Sequence, residues 1–300
     1  MTIINDSPLK VETTHKETPV ENSTEKAYSI RMIVKDPMQL VFLILSIFSF
    51  GCIFPFFYDA YEFVKVSKAN APETYEFPKI TDFEITLYST VFFALLEVII
   101  KKVAYRFLEP YCKEQTDVKS REIRTMKAAQ CVFKGIYYTT VTAWGYSVLK
   151  DQKWYPVSLG GSGDISIVFD EWPYPVRPPQ LKEYFLVILG SHLGALLNHV
   201  GYSSNKDFIE MGLHHMVTVV LCSGVYLVNA YHMGAIISLL HDAGDILTCV
   251  SRVLAESRDK TFVGPLFLLH MVVWFYTRLM VLPYLIYRIH YFELPSGHSL

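Results

Sequence analysis

Two short stretches carry side chains that could do chemistry. Residues 211–218 read MGLHHMVT, and residues 238–247 read SLLHDAGDIL. Each sets imidazoles or carboxylates inside a long apolar run, where ionisable groups are costly and mark functional sites. An imidazole can act as a general base, or as a nucleophile toward an activated acyl group. A carboxylate beside it orients the ring and stabilises its cationic form. His214, His215, His241, Asp242 and Asp245 therefore suit acid–base work and acyl transfer. The same donors could ligate a metal, although the repeated HxxH or HxxHH boxes of a membrane di-iron site are absent. A third reading is a polar network that only joins helices.

Helical spacing says how these residues must be presented. On one helix His215, Thr218, Cys222, Tyr226 and Asn229 recur at steps of three and four and form one stripe, with His214 on its flank. On the next, Ser238, His241, Asp242, Asp245, Cys249 and Arg252 form a second stripe. The connection near Tyr231-His232 is so short that the two helices must be antiparallel neighbours. The simplest packing turns both seams into one interior. At 1.5 Å per residue, His215 falls about 6 Å, Asp245 about 12 Å and His241 about 18 Å from one edge of the membrane.

The rest of the chain agrees with a membrane setting. About half of its 300 residues are hydrophobic (51%) and the net charge is only −2, so it has neither a soluble domain's composition nor a nucleic-acid binder's charge. The five cysteines form no CxxC pair, which argues against a disulfide framework or a zinc site. Residues 1–36 read as a disordered polar tail. Nothing apolar lies near the start, so the first apolar segment reads as an uncleaved anchor. Apolar segments of spanning length follow at about 39–58, 83–103, 129–149, 183–202, 211–230, 233–254 and 264–288. The expectation is an all-α, polytopic bundle of about seven spanning helices. The Lys- and Arg-rich loop 104–128 puts that loop and the N-terminus in the cytosol. The glycosylation triplets at Asn5 and Asn22 are then idle. The 150–182 loop, with GGSGD and WPYPVRPP, is irregular because its Gly and Pro forbid regular structure.

Other intramembrane polar residues read more plainly. His192 and His199 read as packing or hydrogen-bonding residues. Lys134 reads as a side chain that snorkels to the interface. Glu97 and Arg278 each read as half of a structural ion pair, with Asp242 or Asp245 as the partner open to Arg278.

The stretch Lys206–Asp245, KDFIEMGLHHMVTVVLCSGVYLVNAYHMGAIISLLHDAGD, resembles the Lag motif of ceramide synthases within the wider TLC-domain membrane family. The matching positions are Lys206-Asp207-Phe208, His214-His215, Thr218, Ser223, Tyr226, Asn229, Gly234 and His241-Asp242-Asp245. WPYP at 172–175 and TRLMVLP at 277–283 extend the likeness, as does the second helix with its basic tail, which looks fungal or plant-like. No homeobox-like insert is present. The resemblance implies a TLC-type six-helix core in a catalytic membrane domain at 83–300, behind the tail (1–36) and a first helix with its luminal loop (37–82). It implies a sphingoid-base N-acyltransferase that moves a fatty acyl group from acyl-CoA to a long-chain base, giving (dihydro)ceramide in the endoplasmic reticulum membrane. The implied catalytic residues are His214, His215, His241, Asp242 and Asp245. Thr218, Tyr226, Asn229 and Arg278 are the implied substrate-binding residues. Acyl-CoA enters as co-substrate, with no metal or other cofactor. Membrane lipids surround the chain, nucleic acid is not a partner, and assembly as a homo- or hetero-oligomer stays open. The alternatives from other classes are a non-catalytic TLC-domain protein that binds or senses lipid or assists translocation, and a proton- or metal-coupled transporter.

Overall fold

The computed structural model describes residues 37–112, 118–201, 208–258 and 260–293. The polar tail with both glycosylation triplets, and Lys206-Asp207, lie outside the described residues. Eight α-helices form seven rods: α1 (Pro37–Ala69), α2 (Phe83–Leu108), α3 (Val118–Leu149), α4 (Leu181–Gly201), α5 (Phe208–Leu227), α6 (Tyr231–Glu256), α7 (Val263–Phe275) and α8 (Leu282–Glu293). A π-helical turn at Tyr276–Val281 joins α7 to α8 in one rod. Among the described residues there are no strands, only isolated bridges at Cys112–Ser257 and Pro156–Gly163. The seven rods match the seven expected segments, so the all-α polytopic bundle holds.

Among the described residues five stretches are long and apolar enough to cross a membrane: residues 80–111, 181–201, 208–227, 231–256 and 263–288. α3 is not among them; it starts eleven residues before the expected 129, and its later part carries Gln130, Lys134 and several threonines and tyrosines. Leu87, Phe92, Ile99, Phe107, Leu221, Leu268 and Val272 all face outward, as an acyl-chain solvent permits.

Close helix packing rests on small residues and threonines. A Cβ on Gly190 would lie 2.6 Å from the Thr86 carbonyl oxygen, and one on Gly194 3.0 Å from that of Thr90. This gap lets α2 and α4 approach until Thr86 Oγ1 donates to the Leu186 carbonyl (3.2 Å) and Thr90 Oγ1 to the Gly190 carbonyl (3.1 Å). Such small-residue contacts replace the hydrophobic drive that lipid removes.

The rods alternate in direction, so the bundle has two ends. One holds the basic segment, the starts of α3 and α5 and the end of α6. The other holds the 150–180 loop and the α5–α6 turn. The main buried apolar cluster, with Tyr155, Ile165, Tyr184, Phe185, Tyr226, Tyr231, Ile236 and Leu285, lies toward this capped end.

Candidate active site

α5 starts at Phe208 and carries its paired histidines within the first two turns. The two rings diverge. His214 is exposed and His215 half-buried, with ring centroids 5.5 Å apart. The His215 ring also lies 6.1 Å from that of His199, and its Nδ1 is buried with no hydrogen-bond partner. Thr218 turns its hydroxyl back to the His214 carbonyl (2.8 Å), the usual local bond of a helical threonine.

On α6 the three polar residues of HDxxD have different surroundings. His241 Nδ1 lies 2.7 Å from the Ile237 carbonyl. A carbonyl only accepts, so Nδ1 carries the hydrogen and Nε2 of the neutral ring presents its lone pair. Asp242 is only 3% exposed, and its Oδ2 has no hydrogen-bond partner. Its carboxyl group lies within electrostatic range of Tyr137 on α3, Tyr184 on α4 and Cys222 on α5. Asp245 instead pairs with Arg278, Nη2 to Oδ1 at 3.1 Å, and the same guanidinium reaches the His241 carbonyl at 3.4 Å. The ion pair expected for Arg278 therefore exists, with Asp245 as partner. Pro283 explains why Arg278 can reach it: its ring crowds the carbonyl four residues back, and the chain widens into the π turn that holds Arg278. Such turns recur at functional sites.

His192 and His241 both lie within electrostatic range of His214, which brings the HH and HDxxD halves near one another. Among the described residues no three His, Cys, Asp or Glu side chains are arranged to hold a metal ion.

The chamber includes residues that the two-stripe reading missed. A cavity of about 40 Å³ beside His215 is lined by Glu97 of α2, Lys134 and Tyr137 of α3, and Ser191 and His192 of α4, among others. Lys134 lines this cavity, within electrostatic reach of His192 and His215. Among the described residues Glu97 forms no ion pair. Its buried carboxylate accepts from Gln130 Nε2 (2.8 Å) and Asn198 Nδ2 (2.7 Å). Tyr137 and Ser191 share a hydrogen bond across α3 and α4. The available signal was the run of polar residues on α3, which is unusual for a spanning helix. His199, by contrast, stacks on Phe208 and donates from Nε2 to its carbonyl at 2.7 Å, the hydrogen-bonding role expected of it.

Two implied substrate-binding residues lie elsewhere. Tyr226 and Asn229 follow His214 by twelve and fifteen residues on the same stripe, about 18 Å and more along the axis. Tyr226 is fully buried and donates to Asp82 Oδ2 (2.7 Å). Asn229 is also fully buried and sits at φ 63°. It closes α5, with the Ala230 N–H reaching back to the Val225 carbonyl at 3.0 Å, and asparagine tolerates that left-handed position. Its amide donates to Tyr75 Oη and the Pro173 carbonyl (both 2.7 Å) and accepts from Arg177 (3.1 Å). The structure thus puts Tyr226 and Asn229 in the capped end and not beside His214.

Comparison with known proteins bears on the same elements. Residues 127–298, more than half the chain, match the family profile described as the TLC domain. The chain is 26% identical over 212 residues to ASC1-like protein 3 of Oryza sativa subsp. japonica, covering 69% of this chain and 72% of that one. It is 23% identical over 235 residues to Ceramide synthase LOH2 of Arabidopsis thaliana, covering 76% and 77%. Over 177 residues it is 28% identical to Ceramide synthase 4 of Bos taurus, covering 58% of this chain but only 43% of the bovine protein.

Proposed function

The chain belongs to the TLC-domain family, and from that premise we propose that it is a ceramide synthase, an acyl-CoA-dependent N-acyltransferase acting on a sphingoid long-chain base. One observation carries the reading: His214 on α5 lies within electrostatic range of His241 on α6, and Cys222 on α5 within range of Asp242, so the two halves come near one another. His215 Nδ1 and Asp242 Oδ2 are among the buried polar atoms without a partner, and an unpartnered imidazole nitrogen and carboxylate oxygen suit a ligand or a reaction. The curated relatives named ceramide synthases add support at modest identity.

The chemistry follows from the geometry. The exposed His214 meets the acyl group. A C–N bond forms between the amine and the acyl carbonyl, the C–S bond of the thioester breaks, and CoA leaves as its thiol. The amine must lose a proton; His241 Nε2, with its lone pair free, takes it and returns it to the departing thiolate, which leaves as the thiol. Asp242 accepts the N–H of the incoming amine. Arg278 holds Asp245 and the His241 carbonyl, so the α6 carboxylate left open to a cation is that of Asp242. An enclosed, lipid-lined chamber keeps water from the thioester, and no cofactor beyond the co-substrate is needed. The basic segment before α3 suits a cytosolic side for acyl-CoA entry in the endoplasmic reticulum membrane.

The test is direct. Purified protein in lipid, given a long-chain base and a panel of acyl-CoAs, should release free CoA and form the amide in equal amounts. A folded sample that forms none across the panel overturns the reading in favour of lipid binding or sensing.

A further inference from the structure

Tyr137 and Tyr138 stand side by side on α3, with ring centroids 5.3 Å apart, and both line the small cavity with His192 and His215. Their hydroxyls differ. That of Tyr137 is bonded to Ser191. Tyr138 makes no hydrogen bond among the described residues. It is half-buried, and its hydroxyl, unlike that of Tyr184, is not closed off completely.

The packing of α3 on α6 brings this free hydroxyl to the proposed site. The two helices are antiparallel, with Arg124 paired to Glu256 at 3.1 Å, and a Cβ on Gly135 would lie 3.5 Å from that of Cys249. Tyr138, about one turn beyond Gly135, therefore comes level with Asp245, about one turn before Cys249. Its hydroxyl accordingly lies within electrostatic range of Asp245, Asp242 and Arg278. Lys134, one turn earlier on α3, lies within range of His192 and His215 instead. Tyr138 thus borders the His215 cavity on one side and the HDxxD groups on the other.

Acyl transfer needs a donor in this place. When the amine nitrogen attacks the thioester carbonyl carbon, the C=O π electrons move to oxygen and leave it negative. The polar groups around HDxxD are engaged or of the wrong kind for that oxygen. His241 Nε2 presents a lone pair, Asp242 is an acceptor, and Arg278 is held by Asp245 and the His241 carbonyl. A phenol hydroxyl is a donor without a charge to bury. We propose that Tyr138 is a catalytic residue whose hydroxyl donates a hydrogen bond to the acyl carbonyl oxygen as the tetrahedral adduct forms. The proposal rests on the acyltransferase reading. Tyr138 keeps its proton throughout. As the adduct collapses, the oxygen's electron pair re-forms C=O, the C–S bond breaks, and the proton that His241 took from nitrogen goes to the departing sulfur.

The full chain in lipid supplies the test. Tyr138→Phe removes one oxygen that bonds nothing in the fold, so the thermal midpoint should hold while kcat falls roughly 10²-fold at an unchanged acyl-CoA KM, as for the loss of one oxyanion donor. Tyr137→Phe gives up the Ser191 bond, and should lower the midpoint more and kcat less. The contact itself is read with a ketone analogue of acyl-CoA, in which a methylene replaces the sulfur and blocks cleavage. Its ¹³C=O stretch should fall at lower frequency on the wild type than on Tyr138→Phe. A Tyr138→Phe protein with wild-type kcat overturns the proposal, as does an equal stretch on both proteins. If Tyr138→Phe does not fold, the wild-type band is compared with that of the analogue in a hydrocarbon solvent, and an unshifted band overturns the proposal. A wild type that forms no amide overturns the enzyme reading, whereas amide formed as fast by Tyr138→Phe overturns only the role of Tyr138.

Discussion

The two ends of the α5–α6 pair use the same residue types to opposite effect. At the capped end the Asn229 amide is held on three sides, by Tyr75, Pro173 and Arg177. Side chains around it are bonded too. Trp172 Nε1 donates to the Val228 carbonyl at 3.1 Å while its ring stacks on Phe63 at 4.5 Å, and His232 Nε2 donates to the Val168 carbonyl at 2.7 Å. Arg177 lies over the rings of Tyr75 and Tyr231. Toward the other end, Asp242 Oδ2 and His215 Nδ1 are buried and unmatched. An unmatched buried polar atom costs about 1–3 kcal/mol; at the capped end these atoms are the Tyr184 and Tyr231 hydroxyls and Arg177 Nε, whereas toward the other end they are a carboxylate oxygen and an imidazole nitrogen, groups able to exchange a proton. Polar residues on one helical stripe are therefore not one site. One end of the stripe holds the loop to the bundle, and the other carries the histidines of the proposed site.

The sharpest way to break this contrast is to remove the unmatched groups. His214→Ala, His215→Ala and Asp242→Asn should each lower turnover roughly 10²–10⁴-fold, the range for a positioned acid or base. Thermal midpoints should stay within a few degrees, because none of the three side chains holds a bond that the fold needs. Product assay and thermal unfolding on the same samples check it. If all three variants instead lose the fold, the chamber is a structural network and the contrast disappears.

The capped end should respond the other way. Asn229→Ala removes three hydrogen bonds and forces a Cβ-bearing residue without a capping amide into the left-handed region. The expected loss is about 2–4 kcal/mol from the combined bond and backbone terms. Asn229→Gly loses the bonds but not the backbone fit, and should recover about 1 kcal/mol. In the fraction that folds, KM for both substrates should stay near wild type. A large rise in KM at an unchanged thermal midpoint would return Asn229 to the substrate site.

The rods were legible in the sequence because they follow from period and length: seven apolar segments gave seven rods. The short α5–α6 connection did not make those two helices each other's main packing partners, since α6 packs chiefly on α3 and α5 on α4. Arg278 was legible as a partner for an HDxxD carboxylate because an isolated charge there is costly. Tyr226 and Asn229 were misleading because helical phase does not report depth: a stripe is continuous along α5, while its surroundings change from chamber to capping loop. Lys134 and Glu97 were not legible as neighbours of His215. They sit on α3 and α2, and only packing with α4 and α5 puts them around one cavity. The early start of α3 was hidden because a helix that leaves an apolar environment keeps its hydrogen bonds but not its apolar pattern.

The smallest expected effect lies where the capping loop meets α8. Asp164 accepts from the Ser166 backbone N–H at 3.0 Å and from Arg288 at 3.0 and 3.2 Å. The Ser166 N–H first, and then the Arg288 guanidinium, hold its carboxyl below the usual carboxylate range. A group whose folded value is lowered adds stability above its unfolded value, near 3.9, and that stability is lost as pH falls through the folded value. The side chain is more than half exposed (57%), so solvent screens most of the attraction. Arg288→Met should therefore lower the thermal midpoint by no more than about a degree or two at pH 7, by the same amount at pH 5, and progressively less below about pH 4, where the carboxylate protonates. Thermal unfolding of both proteins across that range checks it. A difference that instead grows on acidification would mean that Arg288 holds the loop through something other than Asp164, and that the capped end is tied to α8 by contacts insensitive to this carboxylate.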